Sequence, residues 1–264
     1  MHESERHRVI LSAVQERPVA TVTELVALTG ASEATIRRDI ATLHVQNRLR
    51  RVRGGAEALA PPPLPGLAGR PFSVNEAINI EQKQAIAREA AALCKSGEPI
   101  IINGGTTTFQ MVHPLVSQQL TIMTNSFPIA EHLLKHSKNT VLLPGGALYR
   151  EQNIILSPFD NDMTRHFYAK RMFMGAHGIG SVGLMESDPL LIQAEEKLIG
   201  RADELVVLVD SSKFANRSSL VLCALDRIHT LITDDGIDDK TARMLETADI
   251  TLIVAQTSAA KRTG

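Results

Sequence analysis

The chain has no tryptophan, only two tyrosines, seven phenylalanines and two cysteines in 264 residues. With so few aromatics, a core drawing on its 44% hydrophobic residues must be built from Val, Ile, Leu and Ala. Cys94 and Cys223 stand in apolar company (AALCK and LVLCAL). No metal-ligand spacing accompanies them, so no metal site is expected. Buried free thiols are the preferred reading, and a disulfide between the two stays open at this point. No apolar run approaches the ~20 residues of a membrane helix. The segment MHESERHRVI carries charge where a targeting peptide needs an apolar stretch. A soluble, cytoplasmic protein is expected. The net charge of −1 excludes a uniformly basic polyanion binder, which shifts attention to where charge is concentrated.

It is concentrated in the stretch SEATIRRDIATLHVQNRLRRVRGGA, from Ser32 to Ala56. Ser32 is a good helix N-cap, because its hydroxyl can accept from an otherwise orphaned amide. Ile36, Ile40 and Leu43 follow at the spacing of one buried helical stripe. Arg37 and Arg38 fall outside that stripe and must face solvent or a partner. Arg48, Arg50, Arg51 and Arg53 then form a basic β-type ribbon ending in Gly54-Gly55. Between Ala34 and Ala56, Asp39 is the single acidic counterweight to these six arginines. A helix to enter a groove and a ribbon to grip phosphate are the parts of a DNA reader.

The preceding residues complete the pattern. Ser4 to Glu16 reads as a helix with Val9, Ile10, Ala13 and Val14 inward, stopped by Pro18. Thr21 and Glu24 have the spacing of a capping box for a second helix, which Gly30 ends. Helix, glycine-containing turn, helix and basic hairpin is winged helix-turn-helix order. A three-helix protein-interaction module is the plainer alternative, and arginine on both the third helix and the ribbon argues against it. In the DNA-binding reading, Ser32, Glu33, Thr35, Arg37 and Arg38 lie at the major groove, while Arg48, Arg50, Arg51 and Arg53 hold backbone or reach a minor groove. One such head makes few contacts, so a homodimer or homotetramer reading repeated half-sites is expected.

Five prolines between Leu59 and Phe72 mark a semi-rigid linker, 58–75, after a head of 1–57; a docking motif for a partner is the other reading. From 76 to 264, short and almost wholly apolar runs alternate with helical stretches. The runs are Ile100-Ile101-Ile102, Leu120 to Met123, Thr140 to Leu143, Arg171 to Met174, Leu205 to Val209, Thr230 to Ile232 and Ile250 to Val254. That alternation predicts an α/β, Rossmann-like domain with a largely parallel sheet covered on both faces.

In such sheets ligands sit beyond the carboxyl ends of the strands. Those ends are polar or glycine-rich: Asn103 to Thr108, Thr124-Asn125-Ser126, Gly145-Gly146, Gly175 to Gly178, and Asp210 to Lys213. One such loop is ordinary turn chemistry; their convergence on one edge predicts a pocket for a small, hydroxylated, phosphorylated ligand. Gly104, Gly105, Thr106, Thr107 and Thr108 could cradle phosphate at a helix N-terminus. Lys197 and Lys213 are candidate phosphate or hydroxyl partners, and Glu195 could accept from sugar hydroxyls or pair with a neighbouring lysine. Neither a Walker ending nor a GxGxxG fingerprint is present, so no nucleotide cofactor is expected. His177 has no acid–base partner fixed by spacing and reads as structural or solvent-exposed rather than catalytic.

The ordered motifs ATIRRDIATL, RRVRGGAEA, INGGTTT, TNS, LPGG, AEEK and LVVLVDSSKF resemble the DeoR-type bacterial transcriptional regulators over nearly the whole chain. RGGAEA, IILSP and LVVLVDSSK look closest to the branch controlling ascorbate utilisation. The resemblance implies a winged helix-turn-helix, a C-terminal sensor similar to ribose-5-phosphate isomerase, and a repressor of carbohydrate catabolism. Its operator binding would respond to a phosphorylated sugar or sugar acid. It places the effector pocket at Gly104 to Thr108, Asn125, Gly145-Gly146 and Lys213. Many members have Gly-Pro after the GG loop, whereas this chain has Ser157-Pro158. The competing class is a sugar-phosphate isomerase or lactonase-like hydrolase with an accessory head. Isomerase relatives carry an acidic loop where this chain reads Gly175-Ala176-His177-Gly178, so no general base is evident there and no enzyme is expected.

Overall fold

The computed structural model describes residues 2–16, 20–59, 72–159 and 161–257. The chain forms two compact units, Met1–Gly66 and Leu67–Gly264. Pro18 and residues 60–71 of the expected linker lie outside the described residues.

In the first unit, α1 (Glu3–Glu16), β1 (Ala20–Thr21), α2 (Val22–Thr29) and α3 (Glu33–Val45) precede a hairpin of β2 (Arg50–Val52) and β3 (Gly55–Glu57). The capping box is present: Thr21 Oγ1 accepts from the Glu24 amide and the Glu24 carboxylate accepts from the Thr21 amide. Gly30, at φ 66°, ends α2 in the left-handed region. Ser32 caps α3 by accepting from the Thr35 amide. Ile10, Val14, Leu25, Ile36, Ile40, Leu43 and Leu49 close one apolar core. β3 lies between β1 and β2, so the wing is tied back to the helices.

The second unit runs α4 (Phe72–Asn75), α5 (Ile80–Ala92), β4 (Pro99–Ile102), α6 (Thr106–Phe109), α7 (Val112–Leu115), β5 (Thr121–Thr124), α8 (Phe127–His136) and β6 (Thr140–Leu142). It continues with β7 (Ala147–Tyr149), β8 (Ile154–Leu156), β9 (Ala169–Met174), β10 (Gly178–Gly180), β11 (Gly183–Glu186), α9 (Pro189–Ile199) and β12 (Ala202–Leu208). It ends with β13 (Leu220–Cys223), β14 (Thr230–Asp234), α10 (Asp239–Thr247) and β15 (Thr251–Ala255).

The seven apolar runs are the seven strands of one parallel sheet, ordered β15-β14-β12-β9-β4-β5-β6. Side chains alternate between its two cores. Ile100, Ile102 and Phe173 enter the layer under α5, α7 and α8, while Ile101, Met172 and Met174 enter the layer under α9 and α10. Two smaller pieces were not expected: the hairpin β7–β8 and the antiparallel sheet β10-β11-β13. From β4 the chain adds β5 and β6 on one side, then returns to place β9 on the other. The ends of β4 and β9 therefore form a topological switch point.

No helix among the described residues is long and apolar enough to cross a membrane. Cys94 is buried and Cys223 only half-buried, and both are free thiols. Burial pushes their pKa values up, to about 12 and about 11.

Candidate functional site

The first unit presents a groove between α3 and the wing, lined by Val22, Arg37, Ile40, His44, Arg51, Val52, Arg53, Gly54 and Gly55. Gly54, at φ 84°, makes the hairpin turn, and Gly55 lets β3 approach β1. Arg37 donates from Nε to Glu33 Oε1 at 3.1 Å, one turn earlier on the exposed face. Arg38 is exposed and has no hydrogen bond or ion pair among the described residues. Ser32 and Thr35 are joined hydroxyl to hydroxyl at 2.9 Å at the start of α3.

The structure corrects one expectation for this unit and gives the surroundings of two more of the arginines. Asp39 is no counterweight to the exposed arginines: it is 4% exposed and turned inward. There Arg6 Nε donates to it at 2.7 Å and the His7 ring lies 3.3 Å away. Burial alone would raise the Asp39 pKa; the bonds and charges of Arg6 and His7 outweigh it and hold the carboxyl below its usual range. Arg50 pairs with Glu57 across the hairpin, an exposed ion pair that, like that of Arg37 with Glu33, must open before the guanidinium can hold phosphate. Arg48 precedes β2 and lines a separate depression with His2, Glu3, Ser4, His7, Arg8 and Gln46, away from the wing groove.

The second unit has its cavity at the switch point, with a volume of about 110 Å³. Gly104 to Thr107 line it from the end of β4 and Gly175 to His177 from the end of β9. Glu186 and Ser187 enter from β11, Leu191 and Glu195 from α9, and Lys213 from the loop after β12. Phe72, Asn75, Gln152 and Ile154 close the remaining side.

Its electrostatics are two-sided. The Lys213 side chain is half-buried and makes no hydrogen bond or ion pair among the described residues, leaving an ammonium for an anion. On the other side, Glu186 and Glu195 are buried, and Asp188 lies close behind them with Tyr149 donating to it at 2.8 Å. Burial raises the pKa of Glu186. Burial followed by the charge of Glu186 raises that of Glu195 well above normal. Asn103 Nδ2 donates to Glu195 Oε1 at 2.7 Å. Near the rim, Lys83 is buried and donates to the Asn75 carbonyl; burial lowers its pKa to about 8.

Of the expected effector residues, the structure gathers Gly104, Gly105, Thr106, Thr107, Glu195 and Lys213 around the cavity. Thr108 is buried, its hydroxyl donating to the Gly105 carbonyl at 3.0 Å within the turn. Asn125 supports the loop, accepting from the Gly104 amide at 2.8 Å, so that amide is not available to phosphate. Ser126 caps α8. Gly145 and Gly146 have φ of 81° and 124° and shape the turn before β7; a side chain on Gly146 would meet the Leu156 carbonyl.

Lys197 is a correction. It stands two residues from Glu195, roughly 200° around the helix, and its ammonium is held by Asp162 at 2.7 Å. Burial opposes ionisation of Asp162, yet its bonds to Lys197, Ser157 and Thr164 bring its pKa down to about 2. Sequence reasoning missed Glu186, Asp188, Lys83, Phe72 and Gln152. It also placed no carboxylate beside His177, whereas Glu186 and Glu195 reach the same cavity from other elements.

Comparison with known proteins agrees with this division. Residues 6–61 match the DeoR-like helix-turn-helix domain and residues 78–235 the DeoR C-terminal sensor domain. The HTH-type transcriptional regulator UlaR of Shigella dysenteriae serotype 1 (strain Sd197) is 33% identical over 96% of this chain and 99% of that protein. UlaR of Escherichia coli (strain SMS-3-5 / SECEC) is 32% identical over the same shares. A solved structure of ribose 5-phosphate isomerase A from Methanocaldococcus jannaschii shares 19% identity at a TM-score of 0.39, covering 52% of this chain and 55% of that one. With both domains matched in order and the relatives aligned almost end to end, the chain belongs to the DeoR family of transcriptional regulators.

Proposed function

We propose that the protein is a repressor of a carbohydrate-catabolism operon whose operator binding is modulated by a small phosphorylated sugar or sugar acid. The DNA half of this reading rests on one observation: Arg37 of the recognition helix and Arg51 and Arg53 of the wing line the same open groove. Arg38, with no partner to release, is the residue best suited to read a guanine edge by its two-pronged fork. Arg37 must exchange Glu33 for DNA. Arg51 and Arg53 hold phosphate.

The effector half rests on the two-sided cavity. Lys213 with the Thr106 and Thr107 hydroxyls suits an anionic group, and the Glu186–Glu195 side suits hydroxyls. The linker is read as the stretch between the two units, ending before α4, whose Phe72 and Asn75 line the sensor cavity. For the ligand to control DNA binding it must favour one arrangement of paired heads, because equal affinity for both shifts nothing. A homodimer or homotetramer supplies those pairs.

The test is a mobility-shift assay on duplex DNA selected from a random pool by the parent protein. Arg37→Ala and Arg38→Ala each weaken selected-site binding by about tenfold or more. Lys213→Ala keeps parental DNA affinity but needs more ligand to change it. Unaltered shifts for both arginine variants would remove the recognition-helix assignment.

One observation favours an isomerase as the second reading: His177, Glu186 and Glu195 share the cavity. However, both matched domains and the relatives aligned end to end are those of transcriptional regulators, which keeps this reading second. The absence of turnover on pentose and hexose phosphates is the expected result, and aldose–ketose interconversion by purified protein would overturn it.

A further inference from the structure

Glu195 and Asn103 are 3% and 1% exposed, yet each keeps one polar atom without a partner: Oε2 of the carboxyl and Oδ1 of the amide. Buried polar atoms left unpaired are costly, and a ligand oxygen is one way to satisfy them. The Asn103 amide grips the other carboxyl oxygen at 2.7 Å, so the Glu195 carboxyl is fixed with Oε2 unpaired and covered, and a ligand oxygen reaches it by displacing what covers it. On α9, Glu195 shares the buried face with Leu191, and both line the cavity.

We propose that Glu195 is a specificity-determining residue that meets the effector as a neutral carboxylic acid, donating from Oε2 to an accepting oxygen of the ligand. This rests on the reading of the cavity as the effector site. The surroundings support neutrality. β11 brings Glu186, and Asp188 precedes α9; both are acids and both are buried. β13 brings Cys223, a thiol whose own ionisation burial opposes. β8, also packed on α9, carries no ionisable residue. The acids of β12, Asp203 and Glu204, sit at its opposite end, where Lys170 and Arg171 take them. On α9 itself, Lys197 is engaged with Asp162. Lys213 acts on Glu186 from across the cavity, His177 lines the same cavity and Arg227 donates to the Ile199 carbonyl at the end of α9, but none of them is paired with Glu195. Burial and the neighbouring acids hold the proton on, in agreement with the raised pKa.

A neutral acid and a primary amide present the same shape and the same donor–acceptor pair at this position. Glutamine can therefore replace Glu195: its carbonyl accepts from Asn103 and its NH₂ takes the place of the acid proton. Full-length parent, Glu195→Gln and Glu195→Ala are titrated calorimetrically with ribose 5-phosphate, glucose 6-phosphate and 6-phosphogluconate across a pH series. Glu195→Gln keeps the affinity for the best-bound probe within about threefold of the parent, and Glu195→Ala loses about tenfold, the effect of one buried hydrogen bond. Parental affinity falls as pH rises through the raised Glu195 pKa, while the Glu195→Gln profile lacks that limb. Glu186 remains in both proteins, and because its titration is linked to that of Glu195, its limb in the Glu195→Gln profile moves to lower pH, leaving no fall at the parental position.

Should Glu195→Gln bind as weakly as Glu195→Ala, or share the parental alkaline fall in full, the neutral-donor assignment is wrong although the cavity still binds its probe. Should no probe bind the parent, the effector reading itself fails and the donor role falls with it. If Glu195→Ala does not fold, infrared spectra of ligand-free parent and Glu195→Gln decide the matter. A protonated carboxyl band present in the parent and missing from the variant is expected, and no difference between them overturns the proposal.

Discussion

Asp39 shows how far a residue's sequence neighbours can mislead about its charge environment. It sits among arginines in sequence, but α3 turns it inward, and its partners Arg6 and His7 come from α1, more than thirty positions away. Its folded pKa is lowered, so the stability it contributes is present above the unfolded value of about 3.9 and is lost as pH falls through the folded one. Asp39→Asn is expected to lower the melting temperature at neutral pH by roughly 5 °C. Melts followed by circular dichroism should show the gap between parent and variant closing in acid. A gap independent of pH would mean that the carboxylate charge does not matter there. Lys83 is the counterpart in the sensor. On a helix read from pattern alone, lysine signals the wet face; α5 instead buries it, with its ammonium on a backbone carbonyl.

At the level of elements, local chemistry was readable wherever local forces decide the outcome. Thr21, Gly30 and Ser32 mark helix ends by satisfying nearby backbone groups, and they do so in the structure. The seven central strands announced themselves because burial on both faces demands unbroken apolar runs. The hairpins β7–β8 and β10–β11 did not, because strands of three or four residues are too short to carry a readable pattern, and β13 finds β11 only through the tertiary fold. Glu186 illustrates the loss: it falls in none of the seven apolar runs, yet β11 is buried along its whole length and carries that acid into the cavity. Half of the cavity was legible for the same reason. Loops after parallel strands could be anticipated from the sheet, whereas residues from α4, β8 and β11 required the completed packing.

The wing depends on one tight approach. A Cβ on Gly55 would lie 2.1 Å from the Ala20 carbonyl oxygen, a contact with backbone that cannot swing aside. Gly55→Ala must part β3 from β1 and displace the hairpin. Its operator affinity, read by fluorescence anisotropy, should fall about tenfold, while the thermal shift produced by a sensor ligand stays parental. Parental DNA affinity would show that the wing can move without harm.

For the whole molecule, a net charge of −1 conceals the attraction that matters, since the groove arginines act at short range and salt screens the rest. The logarithm of operator affinity should decline linearly with the logarithm of salt concentration, by about 0.9 in slope per neutralised phosphate. Arg51→Gln and Arg53→Gln should each flatten that slope by about one contact. Arg48→Gln should leave it unchanged, because Arg48 lines a different depression. A slope altered equally by all three would mean that DNA wraps beyond the wing groove.

The strand order also sets a timetable for a chain emerging from a ribosome. The head closes its core with residues that have all appeared by Ala56. β4 gains β5 soon after it is made, yet its other flank stays open until β9 emerges, and the ligand cavity lacks its lysine until residue 213. A nascent regulator thus completes its DNA-reading head before it completes the cavity of its sensor.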